Sequence, residues 1–142
     1  MIIISACLAG TPCRWDGIAK PDKRIIEMVK AGKAIPVCPE QLGGLPTPRD
    51  PSEIANGRVI SKKGTDVTAQ FDKGAQIVLR LAKLFECKEA ILKSRSPSCG
   101  SGKIYDGTFS GNLVSGDGIT ARLLKDNGIT VHTEEDNILS GE

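Results

Sequence analysis

The sequence predicts an α/β protein, a single domain with a mainly parallel sheet of about four to five strands and helices on both faces, in a Rossmann-like arrangement. Short aliphatic runs alternate along the chain with longer segments of helical periodicity. Gly- and Pro-rich loops separate these segments, and one short stretch has the pattern of a hairpin. The 142 residues suffice for one core and are too few for two comfortable ones.

Each aliphatic run is predicted to be a buried strand, because it is apolar at consecutive positions and does not alternate with polar residues. That pattern is typical of a parallel sheet covered on both faces. The runs cover residues 2–6, 34–37, 90–93 and 129–132. The segment 58–68 is predicted to be a small hairpin that turns at Lys63-Gly64.

Helix signals lie between the strands. Pro21 is expected to open a helix that Gly32 ends, and Thr68 is expected to cap the longest helix, at residues 69–85. Further helices are predicted at residues 119–127 and, beginning with Thr133 as a cap, in the tail. The segments 38–52 and 105–117 are expected to be irregular, and the second could close over a site as a lid.

Composition excludes several classes of protein. The net charge is only +2 and the basic residues are scattered, so no nucleic-acid partner is expected. No apolar run approaches the length of a membrane span, and the apolar start lacks the basic residues of a signal peptide, so we expect a cytoplasmic protein that does not bind membranes. Aromatic residues make up only 4% of the chain, and Trp15, Tyr105 and Phe109 are the main candidates for stacking. The oligomeric state does not follow from the sequence.

Four cysteines each follow a short apolar run and lie in a loop rich in Gly, Pro or Ser: Cys7, Cys13, Cys38 and Cys99. Because parallel strands deliver their carboxyl ends to one edge of the sheet, these thiols are expected to meet there. In a cytoplasmic protein such a group suits a soft metal or a cluster better than a disulfide. By contrast, Cys87 and the lone His132 are predicted to be structural.

Two other chemistries fit the pattern less well. The loop from Cys7 to Arg14 is similar to the phosphate cradle of low-molecular-weight phosphatases, but it is one residue too long and Pro12 removes an N–H group. Zinc sites usually take cysteines in close C-x-x-C pairs, and the chain has no such pair. Isolated cysteines at separate strand ends are more typical of an iron–sulfur site.

The segments CLAGTPCRWDG, PVCPEQLGGLPTPRDPSEI, AILKSRSPSCG, YDGTFSG and GDGITARLL together resemble the thiouracil desulfidase-like family of small single-domain proteins. The resemblance is collinear and covers most of residues 1–142. It implies a four-iron, four-sulfur cluster, [4Fe-4S], held by Cys7, Cys38 and Cys99 with one iron left open. By the same resemblance Cys13 is a neighbour of the cluster and not a first-choice ligand. A redox-active thiol is one role open to it.

The resemblance also implies an activity: non-redox desulfuration of a thiolated pyrimidine, or of the corresponding nucleoside, in which water replaces the sulfur. Glu40 would move the proton, and either Ser96 or Ser98 would orient the water. From loop position, the residues expected to hold the substrate are Asp16, Lys20, Arg49 and Arg95. The alternatives are a non-catalytic iron–sulfur or zinc protein and, less favoured, a cysteine phosphatase.

Overall fold

The computed structural model describes residues 1–136 and contains eight strands and four α-helices in that range. The strands are β1 (Ile2–Ser5), β2 (Ala34–Val37), β3 (Ser52–Ala55), β4 (Arg58–Ser61), β5 (Glu89–Leu92), β6 (Lys103–Tyr105), β7 (Leu113–Ser115) and β8 (Thr130–Thr133). The helices are α1 (Lys23–Lys30), α2 (Pro39–Leu42), α3 (Thr68–Leu84) and α4 (Ile119–Asp126), with a 3₁₀ turn at Ala6–Ala9.

Four of these strands form one parallel sheet in the order β2-β1-β5-β8, so the predicted parallel sheet is confirmed. Its register places Ile3 between Ile35 of β2 and Ala90 of β5. Since β1 is central and both of its neighbours are parallel, the loops that follow β1, β2 and β5 all leave the same edge of the sheet.

Both faces of the sheet are covered, as the continuous apolar runs predict. Successive residues of a strand point to opposite faces, and Ile3 and Ile4 belong to different core clusters. Ile3 packs in one cluster with residues of α3 and α4, whereas Ile4 packs in another with Ile25 of α1. The result is a layer of helix on each side of the sheet. Within residues 1–136 no helix is long and apolar enough to cross a bilayer.

The predicted hairpin at residues 58–68 is present in short form: Ile60 and Asp66 form an antiparallel bridge, and Val67 N donates to Val59 O at 2.9 Å. Its turn at Lys63-Gly64 is closed by a hydrogen bond of 2.8 Å from Gly64 N to Ser61 O.

The prediction missed a second antiparallel pairing that precedes it in the chain. This pairing is β3 with β4, and it turns at Asn56-Gly57, where both residues have positive φ. Asn-Gly is a strong signal for such a turn.

Both segments expected to be irregular contain regular structure. The first includes the single helical turn α2 and the start of β3, and the second includes β7. β7 pairs antiparallel with β6, although all three of its residues are exposed. Because short strands with little burial show no hydrophobic pattern, the sequence does not reveal them.

Two helix starts also differ from the expectation. Asp22, and not Pro21, caps α1 by accepting a hydrogen bond of 3.0 Å from Arg24 N. At α3 Thr68 is the first helical residue and Val67 is the cap, while Asp66 Oδ1 accepts from Thr68 N at 2.9 Å. The Thr68 hydroxyl instead accepts from Val59 N at 2.8 Å and ties α3 to β4. Of the predicted tail helix, residues 137–142 lie outside the described residues.

The helix α2 packs directly against the backbone of α3 through two glycines. A Cβ atom built on Gly43 would lie 1.9 Å from the carbonyl oxygen of Gln70, and one built on Gly74 would lie 1.9 Å from that of Pro39. Both distances are far inside van der Waals contact, so only glycine fits at either position. This contact fixes the position of α2, which carries Glu40.

A half-buried carboxylate joins the ends of β5 and β8. Glu134 accepts hydrogen bonds from Ser94 N at 2.8 Å and from the Ser94 hydroxyl at 2.9 Å, and it forms an ion pair of 2.9 Å with Lys93. Burial acts to raise the pKa of Glu134, but the hydrogen bonds from Lys93 and Ser94 outweigh it and hold the pKa below its ordinary value. The carboxylate therefore stabilises the loop after β5 in its charged form.

We predict that Gly74→Ala destabilises the protein. In an unconstrained helix this change stabilises by about 1 kcal/mol, but here the new methyl group meets the Pro39 carbonyl and must push α2 away from α3. The free energy of unfolding should fall by about 3 kcal/mol in urea denaturation. Lys73→Ala, at an exposed position of the same helix, is the control and should change it by less than about 0.5 kcal/mol. Equal stability of the two variants would contradict the close contact.

We predict that Glu134→Gln lowers the free energy of unfolding by about 1 kcal/mol at pH 7, since a charged hydrogen-bond acceptor is lost. The pKa of Glu134 is depressed in the folded state, so its contribution is present above the ordinary value of 4.5 and disappears as the pH falls through the folded value. The difference between wild type and variant should therefore shrink as the pH is lowered below 4.5 and through the depressed pKa of the folded state.

Urea denaturation across this pH range measures the effect. Glu135→Gln is the matched control, because Glu135 pairs with Arg95 at an exposed position where ion pairs contribute little. A difference between wild type and Glu134→Gln that does not change with pH would contradict the prediction.

Candidate metal centre

A cavity of about 450 Å³ opens at the carboxyl edge of the parallel sheet. It lies beyond the ends of β1, β2 and β5, and its lining includes residues from the loops that follow all three strands. The chain passes from β1 to β2 on one side and then to β5 on the other side of β1, and ligands of open α/β sheets bind at such a reversal of strand order.

Four cysteines line this cavity: Cys7, Cys13, Cys38 and Cys99. Cys7 lies in the 3₁₀ turn after β1, Cys38 directly precedes α2 after β2, and Cys99 lies in the loop after β5. All five cysteines of the chain, each within the described residues, are free thiols. Cys87 is buried in the core that α3 and α4 form on one face of the sheet, away from the cavity.

The four thiols of the cavity differ in pKa because their surroundings differ. Burial raises the pKa of Cys7 to about 11 and that of Cys99 to about 12, so both are neutral unless a positive charge joins them. A hydrogen bond from the Cys13 thiol is the main cause that lowers the pKa of Cys38 to about 7, and the same contact raises the pKa of Cys13. Cys38 Sγ also lies 3.6 Å from the carbonyl oxygen of Cys13.

Ser5 connects two strands behind the cysteines. Its hydroxyl oxygen accepts a hydrogen bond of 2.8 Å from Lys93 N, which fixes the hydroxyl group between β1 and the end of β5. The hydroxyl also donates to the Cys99 thiol, which lowers the pKa of that thiol against the effect of burial. Hydrogen bonds of this kind orient metal ligands and tune their basicity.

The cysteines are arranged in a way that fits a cluster better than a single metal ion. Among residues 1–136 no group of three His, Cys, Asp or Glu side chains is close enough together to hold a single metal ion. Cys7, Cys38 and Cys99 nevertheless come from three strand ends around one cavity. In a four-iron cluster each thiolate binds a different iron, so ligands spaced around a cavity fit a cluster better than one ion.

The first loop does not have the form of a phosphate cradle. The main-chain N–H groups of Gly10, Thr11 and Cys13 donate to carbonyl oxygens of the same loop or of the 3₁₀ turn, at 3.2, 3.1 and 2.8 Å. A phosphate cradle needs consecutive N–H groups aimed at the anion. In this loop those N–H groups already donate to carbonyl oxygens of the protein. This argues against the phosphatase alternative.

Glu40 lines the cavity from α2 and is held there by Arg49. Arg49 Nε lies 3.0 Å from Glu40 Oε1, and the Arg49 side chain is only 7% exposed. Burial raises the pKa of Glu40 and the Arg49 guanidinium opposes that effect. The guanidinium also donates to the carbonyl oxygens of Cys13 and Pro46, at 3.0 and 3.1 Å, and to the Thr47 hydroxyl at 2.9 Å. The hydrogen-bond donors of the Arg49 guanidinium are therefore engaged by other groups of the protein.

The two serines left open by the sequence occupy different surroundings. Ser96 lines the cavity, and its hydroxyl oxygen accepts from Ser98 N at 3.0 Å and from Cys99 N at 2.9 Å. Ser98 is buried outside the cavity lining, and its hydroxyl lies 2.8 Å from that of Thr120 on α4. The geometry thus favours Ser96 for contact with a ligand.

Of the other three residues expected to hold the substrate, only Arg95 lines the cavity. Arg95 lines the cavity and forms an ion pair of 2.9 Å with Glu135. Asp16 and Lys20 are not among the lining residues. Asp16 pairs with Arg14 at 3.6 Å, and the main-chain N–H of Lys20 donates to Cys7 O at 3.0 Å.

The cavity is also lined by residues that were not expected there from the sequence, notably Lys93, Arg14 and Glu53. Lys93 ends the apolar run of β5, and a cation directly after a buried strand is a signal that could have identified it. Arg14 directly follows Cys13, so its place in the cavity was readable from the first loop. Glu53 has no local signal, since its position in the site depends on the pairing of β3 with β4.

Similarity to known proteins identifies the family of this chain. Residues 2–136 match the family model described as 2-thiouracil desulfurase. The protein is 42% identical to "Uncharacterized protein YbbK" of Bacillus subtilis (strain 168), over 96% of this chain and 97% of that protein. It is 45% identical to a solved structure, the [4Fe-4S]-dependent thiouracil desulfidase TudS, with a TM-score of 0.92 over 98% of this chain and 93% of that one. This chain therefore belongs to the 2-thiouracil desulfurase family.

Proposed function

We propose that this protein is an iron–sulfur-dependent desulfidase that removes sulfur from a thiolated pyrimidine, thiouracil or a relative. One observation carries the proposal: three cysteines from three strand ends line a cavity that also contains Glu40. Membership of the 2-thiouracil desulfurase family and the likeness to the [4Fe-4S]-dependent desulfidase TudS support it. The partner would be a small molecule, with no role for nucleic acid or a membrane.

In this proposal Cys7, Cys38 and Cys99 hold a [4Fe-4S] cluster as thiolates. When bound, a cluster with three protein ligands supplies an open iron that acts as a Lewis acid toward a soft sulfur atom. The net reaction converts C=S and H₂O into C=O and H₂S, so no electrons are exchanged with a redox partner. Cys13 hydrogen-bonds Cys38 and is left as a neighbour of the cluster.

Glu40 is proposed to move the protons of the reaction. Hydrogen bonds among the described residues engage its Oε1 atom through Arg49, so Oε2 remains available to take a proton from water and return one to the ring. Arg49 is 7% exposed and bonded to the chain on several sides. We therefore assign Arg49 to positioning Glu40, in place of the direct substrate contact that the sequence suggested.

Ser96 is proposed to orient the attacking water. Its hydroxyl oxygen already accepts two main-chain hydrogen bonds, so its own proton is the group left to donate. Arg95 and Lys93 line the same cavity and supply positive charge for oxygens of the substrate. The positions of Asp16 and Lys20 give them no such role.

We predict that the serine variants of Cys7, Cys38 and Cys99 fail to hold the cluster after anaerobic reconstitution, since each removes a thiolate ligand. Cys13→Ser should keep it. Cys87→Ser is the matched control, because Cys87 lies in the core away from the cavity. Iron and sulfide assays with a visible spectrum measure the outcome.

Loss of the cluster in Cys13→Ser would favour a fully ligated, non-catalytic iron–sulfur protein. Colourless wild-type protein that resists reconstitution would overturn the cluster.

We predict that Glu40→Gln and Ser96→Ala keep the cluster but lower kcat for thiouracil, the first by about 10²–10⁴-fold, because proton transfer is lost. Ser98→Ala should retain kcat within a few-fold, since the Ser98 hydroxyl contacts Thr120 and not the cavity. Steady-state kinetics of cluster-loaded protein measure this. A larger loss in Ser98→Ala than in Ser96→Ala would reverse the assignment of the serine.

A further inference from the structure

A buried carboxylate on β3 holds the loop between β6 and β7. Glu53 is only 9% exposed and lines the cavity. Its Oε1 atom accepts hydrogen bonds from the main-chain N–H of Gly107 at 3.0 Å and of Phe109 at 3.1 Å. We name residues 106–112 the roof loop. Two N–H groups on one carboxylate oxygen define the position of this loop relative to β3.

The roof loop is shaped to reach Glu53. Gly107 has φ +94°, and a Cβ atom there would lie 2.7 Å from the Ile54 carbonyl oxygen, so the loop lies directly against β3. Phe109 has φ +57°, a left-handed conformation that is unusual for a bulky residue and persists only where surrounding contacts hold it. The hydrogen bond from Phe109 N to Glu53 is such a contact.

Aromatic side chains are concentrated at the cavity under this loop. The chain has one Trp, one Tyr and three Phe residues, and Trp15, Tyr105 and Phe109 all line the cavity. Tyr105 precedes the roof loop and Phe109 lies within it, whereas Trp15 comes from the loop after β1. Aromatic faces bind planar heterocycles by stacking.

We propose that Glu53 is a positioning residue that fixes the roof loop against β3, so that the rings of Phe109 and Tyr105 bind the planar ring of the substrate. This inference rests on the proposed function, because it takes the substrate to be a thiolated pyrimidine. It assigns ring recognition to the roof loop and leaves the chemistry to the residues near the cysteines.

The test compares Glu53→Ala with Glu53→Gln in cluster-loaded protein. The amide oxygen of Gln can accept the same two N–H bonds, so Gln should preserve the roof loop whereas Ala removes its support. In Glu53→Ala, hydrogen exchange at the amides of Gly107 and Phe109 should be at least about tenfold faster. The KM for 2-thiouracil should rise about tenfold with kcat within about twofold, as expected for lost stacking. Glu53→Gln should restore both properties.

A second pair of variants covers misfolding of Glu53→Ala. Phe109→Leu should raise KM in the same way, while Phe85→Leu, at an exposed position outside the cavity, should leave it unchanged. Unchanged amide exchange in Glu53→Ala, or an unchanged KM in Phe109→Leu, would overturn the proposal. If wild-type protein loaded with its cluster does not desulfurate thiouracil, the proposed function fails, and with it the ring recognition. The exchange measurement still decides whether Glu53 holds the loop.

Discussion

The loops that follow β1 and β2 are joined by one buried guanidinium, that of Arg49. It contacts Glu40, the carbonyl oxygen of Cys13 and the Pro46–Thr47 turn, and the main-chain N–H of Arg49 donates to Trp15 O at 2.8 Å. A guanidinium suits this place because it presents several donors in a fixed plane and stays charged. The relative positions of Glu40 and Cys13 depend on it, and so does the side of the cavity that they form.

A second contact, between α2 and α3, also determines the position of the Glu40 carboxylate. The contact between Gly43 and Gly74 holds α2 at backbone distance from α3, while Arg49 holds the side chain of Glu40 from the front. Cys7 and Cys38 need no comparable device, because they lie within two residues of parallel strands whose carboxyl ends are brought together by sheet pairing. The site thus combines thiols positioned by topology with a carboxylate positioned by specific side-chain and backbone contacts.

Much of this could be predicted from the sequence, and the limits have physical causes. Uninterrupted apolar runs identified the parallel strands and showed that helices cover both faces of the sheet, because burial on two faces leaves a strong local pattern. The exposed strand β7 leaves no such pattern. The gathering of Cys7, Cys38 and Cys99 followed from strand ends, but the internal role of Arg49 and the place of Glu53 depend on contacts between distant segments. Whether Ser96 or Ser98 faces the cavity depends on the conformation of one turn, which has no signal in the sequence.

The order of the strands also determines when the site can exist during the life of the chain. Cys7, Cys38 and Cys99 follow β1, β2 and β5, and they approach one another only after these strands have paired. A ribosome must therefore synthesise the chain beyond Cys99, and the centre of the sheet must assemble, before the three thiols share a cavity. A group that needs all three thiols can be bound only after this part of the sheet has formed. Its binding then stabilises the whole domain, because the unfolded chain offers it no comparable site.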